Sequence, residues 1–277
     1  MTAVLHPVTA PETGREVRLR ALLFDVDGTL ADTEETHRQA FNLAFLRLEL
    51  GWEWGRELYR DLLRTSGGKE RIDTYIQSLP LLAAEKAQRR KLVGVIHRTK
   101  TRIYGELIAD GRSPLRPGVA RLIREARAAG LKLAIASTTT AANVDTLLSR
   151  HLGEQARDSF SAIACGDQVS AKKPAPDIYS LALASLGLPA EACVAFEDSA
   201  NGLRAAKAAG LFTIVTPTPW TAGQDFAGAD LRLSHLGDPG QPLTAAERDR
   251  IGGPWLGLAQ LEALHARRLR TAEPQEN

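Results

Sequence analysis

The sequence predicts an α/β protein: a parallel sheet with helices on both faces and an all-helical segment inserted after the first strand. Three features lead there. Residues 21–24, Ala-Leu-Leu-Phe, are apolar on both faces, as in a fully buried parallel strand, and run directly into two carboxylates, Asp25 and Asp27. Residues 117–215 alternate helical patterns with short apolar runs. Residues 32–112, between these regions, show helical patterns only.

Each element follows from local signals. Asp32 or Thr33 can cap a helix over 34–50, with Phe41, Leu43, Ala44, Phe45 and Leu48 on its apolar side. A turn at 51–55 carries Trp52 and Trp54, expected to pack inside the insert. Short helices are expected at 56–63 and 69–78, separated by Thr65-Ser66-Gly67-Gly68 and closed by Pro80. A long, mostly polar helix is expected over 81–107, carrying Leu82, Leu92, Ile96 and Ile103. The Gly- and Pro-bearing stretch 111–118 reads as a linker, after which Pro117 opens a helix in its first turn. Strands at 131–136, 162–165, 192–196 and 211–215 alternate with helices at 143–150, 177–186 and 199–209. An edge strand at 230–233 and a docked helix at 256–269 complete the chain. The expected division is a flexible arm (1–18), a core (19–31 and 113–250), a helical insert (32–112), and a C-terminal helix and tail (251–277).

Composition narrows the function. The 277 residues are 44% hydrophobic and 25% charged, which suits an ordinary globular core. A net charge of +2 gives no footprint for nucleic acid, and no apolar run reaches membrane-spanning length. Cys165 and Cys193 are the only cysteines and form no C-x-x-C pair, which fits a cytoplasmic protein with reduced thiols. The expected partner is a small molecule, and the expected state a monomer.

The chemistry is concentrated at expected strand ends, where open α/β sheets bind ligands. Asp25 and Asp27, two residues apart in an extended segment, face the same side. Strand two ends in Ser137, followed by Thr138, Thr139 and Thr140; the loop after strand three carries Lys173; strand four ends in Glu197 and Asp198. A carboxylate attacking a phosphate dianion meets charge repulsion. Mg²⁺ held by Asp25 and Asp198 would offset it, and Lys173 adds a second positive charge. Ser137 and the N–H groups after it, at a helix start, can bind phosphoryl oxygens.

These four motifs, Asp25-Val26-Asp27-Gly28-Thr29, Ser137, Lys173-Pro174 and Glu197-Asp198-Ser199, resemble those of the haloacid dehalogenase superfamily of phosphatases in their order and strand-end placement. The resemblance covers residues 19–220 and implies a Rossmann-like sheet with a helical cap. It implies that Asp25 is the nucleophile, that Asp27 protonates the leaving oxygen and then activates water, and that Asp25, the Asp27 carbonyl and Asp198 hold Mg²⁺, with Glu197 in direct or indirect contact. Residues 31–38, 65–71 and 165–169 are similar to the CbbY-type branch, which is related to β-phosphoglucomutase and removes a phosphate from xylulose 1,5-bisphosphate, an inhibitor of Rubisco. Asp32, where glutamate is common, departs from that branch without touching an assigned role. The resemblance implies a cap-side site for a second phosphate at Gly67, Gly68, Lys69 and Arg71, with Glu34 and His37, one helical turn apart, on the sugar hydroxyls and Asn143 among the substrate-binding residues. A sugar phosphomutase would use the same four motifs, and a binding protein on an inactive phosphatase fold is a third reading.

Overall fold

The computed structural model describes residues 18–272; residues 1–17 of the expected arm and the tail beyond 272 lie outside them. Six parallel strands form one sheet in the order β3-β2-β1-β4-β5-β6. They are β1 (Ala21–Phe24), β2 (Lys132–Ser137), β3 (Ala162–Cys165), β4 (Cys193–Glu197), β5 (Phe212–Val215) and β6 (Leu231–Arg232). The strand order reverses between β1 and β4, and such a switch point opens a crevice at the strands' carboxyl ends.

The two faces of the sheet differ in side-chain size. One presents Leu22, Phe24, Leu133, Ile135, Val194, Phe196 and Ile214 to α6 (Val119–Ala128), α7 (Ala141–Leu152) and α11 (Leu258–Ala272). The other presents Ala21, Ala134, Ala136, Ala162, Ala164 and Ala195, with Leu23, to α8 (Asp177–Leu186) and α9 (Ala200–Ala208). The small residues let those two helices lie close to the strands. Phe24 and Phe196 stack at 4.7 Å and fasten β1 to β4 beneath the crevice.

Between β1 and α6 the chain is wholly helical: α1 (Glu34–Arg47), α2 (Arg56–Leu62), α3 (Gly68–Ser78), α4 (Ala83–Arg90) and α5 (Val93–Ala109). This insert has its own core of Phe41, Phe45, Trp54, Tyr59, Ile72, Ile76 and Ile96, which matches the packing expected for Trp54. The two chain crossings that join insert and sheet are tied together. Ala31 bridges Leu115, the Asp32 N–H donates to the Pro114 carbonyl, and that of Arg116 to the Leu30 carbonyl.

Several local expectations need correction. The helix expected over 81–107 is two, α4 and α5, and Leu82 and Leu92 are exposed. Arg89, Arg90 and Lys91 supply the reason, because successive cations favour a helix C-terminus. Pro117 does not open α6. Gly118 caps it in a left-handed conformation, and the Pro117 carbonyl instead accepts from the Leu236 N–H. Leu43 points to solvent while Ala40 takes the buried position. Thr33 stands at the start of α1 without capping it, since its hydroxyl donates to Asp27. A helix absent from the sequence reading, α10 (Ala245–Ile251), begins at a Thr244–Glu247 capping box.

The small-residue face yields a test. Ala195→Leu should overpack the contact with α8 and α9 and cost about 1–3 kcal/mol in urea denaturation. Leu82→Ala, at an exposed site, should stay within about 0.5 kcal/mol.

Candidate active site

The crevice above β1 and β4 collects the charged residues. The Asp25 N–H donates to the Phe196 carbonyl at 3.0 Å, extending the ladder by one step and placing the Asp25 carboxylate at the strand end. Glu197 closes β4 and Asp198 follows it. Oxygens of Asp25, Glu197 and Asp198 lie within 4.8 Å of one another, and all three residues are buried. Lys173, also buried, reaches in from the loop after β3, its Nζ 2.6 Å from Asp25 Oδ1 and 2.5 Å from Glu197 Oε1. The Tyr179 hydroxyl, from α8, donates to the same Glu197 oxygen at 2.6 Å. Lys172 takes no part in this cluster, since its ammonium donates to the Gly166 carbonyl.

Two glycines allow this crowding. A Cβ on Gly28 would lie 2.3 Å from Asp198 Oδ2, so the turn after Asp27, with φ of +81° at Gly28, presses against that carboxylate. A Cβ on Gly202 would lie 1.7 Å from Glu197 Oε2, so α9 can pass directly over Glu197.

Burial, with Glu197 and Asp27 nearby, raises the Asp25 pKa to about 7 despite the pull of Lys173. Burial, Asp25 and Glu197 push Asp198 well above the usual carboxylate range. Burial disfavours the Lys173 ammonium, but Asp25 and Glu197 outweigh it and push its pKa up. Three carboxyl groups surround a single ammonium. Glu197 Oε2 is buried with no hydrogen-bond partner, and Asp198 Oδ2 has only the Thr221 hydroxyl, at 3.3 Å. An all-oxygen donor set of this kind fits a hard divalent cation. Glu197 Oε1 is taken by Lys173 and Tyr179, and Oε2 lies against Gly202 of α9.

Asp27 belongs to a second buried network. Its Oδ1 accepts from the Thr33 hydroxyl at 2.7 Å and from His37 Nε2 at 2.8 Å. Lys100 Nζ lies 2.5 Å from His37 Nδ1. An ammonium can only donate, so Nδ1 is the acceptor and Nε2 carries the proton given to Asp27. Burial and the Lys100 charge push the His37 pKa down, in accord with a neutral ring. Burial pushes Lys100 down to about 7, against the attraction of Asp27. For Asp27, burial opposes ionisation, but the His37 and Thr33 contacts prevail and hold its pKa well below the usual range.

One cavity joins these groups to the insert. Its lining includes Asp25, Asp27, Lys173 and Asp198 on the sheet side, Thr138, Thr139, Thr140 and Asn143 at the start of α7, and Glu34, His37, Gly67, Gly68, Lys69 and Arg71 on the insert. Thr140 caps α7 by accepting from the Asn143 N–H, so that helix start faces the cavity. Ser137 is buried beside it, its hydroxyl accepting from the Thr139 N–H; the threonines after it, rather than Ser137, line the cavity. Both His37 nitrogens are engaged by Asp27 and Lys100, so its ring has no nitrogen left for a sugar hydroxyl. Glu34 accepts from the Tyr59 hydroxyl at 2.8 Å, and Arg71 Nη1 donates to that hydroxyl at 2.9 Å, while Arg71 Nε is buried without a partner. Lys69 lies 3.8 Å from Asp167 across the insert–sheet boundary.

Sequence reasoning missed Lys100, Tyr59, Tyr179 and Thr221. Lys100 was legible, because it falls on the Ile96–Tyr104 stripe of α5, where a lysine interrupts the buried face at helical spacing. Tyr59, Tyr179 and Thr221 sit in ordinary core-like patterns and carry no such signal.

Residues 19–210 match the sequence profile of the haloacid dehalogenase-like hydrolases. The chain is 50% identical over 252 residues to the plasmid-encoded protein CbbY of Cupriavidus necator, covering 89% of this chain and 97% of that one. It is similar to the crystal structure of a CbbY variant from Rhodobacter sphaeroides in complex with xylulose-(1,5)-bisphosphate, at 46% identity and a TM-score of 0.76, covering 88% of this chain and 99% of that one. A β-phosphoglucomutase from Clostridium difficile, 18% identical over 91% of this chain and 99% of its own, shares the fold with a TM-score of 0.66. The chain therefore belongs to the haloacid dehalogenase-like hydrolases, within the CbbY branch of their phosphatases.

Proposed function

We propose that the protein is a Mg²⁺-dependent phosphatase that hydrolyses a doubly phosphorylated ketose, with xylulose 1,5-bisphosphate converted to xylulose 5-phosphate as the best fit. The observation that supports this reading is one cavity lined by cationic groups from two parts of the chain: Lys173 on Asp25 at the sheet edge, and Lys69 and Arg71, whose Nε is unpartnered, on the insert. A bisphosphate has anionic groups at both ends, and Arg can grip a phosphate through parallel hydrogen bonds. The complex of the Rhodobacter sphaeroides relative with xylulose-(1,5)-bisphosphate supports the same substrate.

In this reading Asp25 Oδ attacks phosphorus, forming an aspartyl-phosphate as the sugar oxygen leaves with a proton from Asp27. Water then attacks that phosphorus and gives its proton to Asp27, releasing phosphate and restoring Asp25. The contacts with Thr33, His37 and Lys100 hold Asp27 as the anion that the second half requires; the first half requires it protonated, so a movement of the insert that parts His37 from Asp27 and lets a proton reach it precedes transfer to the leaving oxygen. Lys173 keeps Asp25 aimed and balances its charge, while the N–H groups of Thr138 and Thr140, beside the start of α7, receive phosphoryl oxygens. Asp25, the Asp27 carbonyl and Asp198, with Glu197 Oε2 adjoining, would hold Mg²⁺, which when bound screens the carboxylates from the phosphate dianion. The helical insert, 32–112, would serve as a cap that excludes water, with hinges near 31–32 and 111–117.

A phosphate-release screen over sugar mono- and bisphosphates tests the substrate. Xylulose 1,5-bisphosphate should be preferred; Asp25→Asn should abolish release, and Arg71→Ala should raise KM for the bisphosphate at least about tenfold. If β-glucose 1-phosphate with a trace of its 1,6-bisphosphate gave glucose 6-phosphate and no free phosphate, the protein would be a mutase instead.

The raised Asp25 pKa gives a pH dependence. A carboxyl that binds its proton more tightly when folded stabilises the protein below about pH 4 and loses that contribution as the pH rises through about 7. Mg²⁺ replaces the lost protons. Its addition should therefore raise Tm more at about pH 8 than at about pH 5; equal shifts at both would count against a metal held by these carboxylates.

A further inference from the structure

We infer that Trp220 is a specificity-determining positioning residue: a post on the sheet domain against which the helical insert closes, holding Tyr59 and through it Arg71 for the far phosphate and Glu34 for the sugar. The catalytic half of this inference rests on the substrate class proposed above.

Trp220 follows β5, in the loop 216–221, yet its ring is buried in the core of the insert with Phe41, Trp54, Tyr59 and Leu62. Its polar and aromatic contacts there come from one face of α2, where Arg56, Tyr59 and Arg60 are spaced i, i+3, i+4. Tyr59 meets the indole edge-on, with centroids 5.6 Å apart and planes at 88°. The Arg56 and Arg60 guanidinium carbons lie 5.8 and 5.9 Å from the ring centroid.

Tyr59 carries the contact onward. Its ring abuts Trp220, while its hydroxyl donates to Glu34 and accepts from Arg71, both of which line the cavity. The Arg71 guanidinium carbon also lies 5.2 Å from the Tyr59 ring centroid. A ring free to swing would release both cavity residues together.

The post stands on a firm base. The Trp220 N–H donates to the Thr218 hydroxyl at 3.2 Å, and the next residue, Thr221, donates to Asp198 at 3.3 Å. Arg116, in the crossing between insert and sheet, donates to the Pro217 carbonyl at 3.1 Å and to the Gly28 carbonyl. One short loop thus touches the carboxylate cluster and the insert, and Arg116 ties it to the Gly28 turn. Apart from the buried contacts of Asp27 with Thr33 and His37, two further polar contacts between insert and sheet near the cavity are more exposed: Asn201 to the Arg64 carbonyl and Ser66, and Lys69 to Asp167. A buried indole holds such a contact better than exposed polar pairs do.

The test compares Trp220→Ala, Trp220→Phe, Arg71→Ala and the Trp220→Ala/Arg71→Ala double variant on xylulose 1,5-bisphosphate and on an aryl phosphate, which has no second phosphate. Trp220→Ala should lower the ratio of kcat/KM between the two substrates at least about tenfold, and Trp220→Phe should recover most of it. In the Arg71→Ala background the same change should lower the ratio by less than about threefold, because both act on one grip. Equal losses on both substrates, or full multiplication with Arg71→Ala, would overturn the inference. Trp220→Leu replaces the Ala variant if that one does not fold. Hydrogen exchange on the ligand-free protein is independent of substrate. Trp220→Ala should speed exchange across 56–78 and leave β1 and β4 protected; unchanged exchange across 56–78 would overturn the post. A wild-type enzyme inactive on every sugar phosphate would defeat the substrate reading, and the exchange result would then uphold or overturn the post by itself.

Discussion

One ammonium group shared by two carboxylates organises this protein. Lys173 lies between Asp25 and Glu197, out of contact with bulk water, in a sheet whose strand order makes β1 and β4 neighbours. That order alone forces Asp25 and Asp198 to the same crevice, and burial then makes their charges costly. Lys173 offsets part of the cost. What remains is an uncompensated negative site with an unpartnered Glu197 oxygen, which is a demand for a cation built into the fold.

Chemistry and selectivity fall on different parts of the chain. In the proposed reaction the sheet edge supplies the nucleophile Asp25, the Lys173 ammonium, the carboxylates of Glu197 and Asp198 and the start of α7. The insert supplies Glu34, Arg71, Lys69 and the Gly67-Gly68 turn. Asp27 bridges the two regions, since its carboxylate belongs to the sheet-edge motif but its partners His37 and Lys100 belong to the insert. Any movement of the insert must therefore alter the surroundings of Asp27, the proposed acid–base group, as well as the volume of the cavity. Such coupling lets a phosphatase delay hydrolysis until a substrate fills the site.

Much of this was legible in the sequence because the informative residues obey simple rules. The end of a doubly apolar strand marks Asp25, and the order of strands marks Ser137, Lys173 and Asp198 as its companions. Strands at 162–165 and helix 177–186 stand where their patterns put them. Other features depended on contacts that no local pattern encodes. The Gly118 cap arises from how segments meet in space, as does the engagement of both His37 nitrogens. Tyr59 and Trp220 read as plain core residues until their rings are seen to join two separate parts of the chain.

The account stands or falls on where the phosphoryl group goes. Enzyme quenched in acid during turnover of a sugar bisphosphate, then digested and fragmented by mass spectrometry, should carry one added phosphoryl group on Asp25. Its presence on another residue, or its absence while phosphate is still being released, would contradict the account.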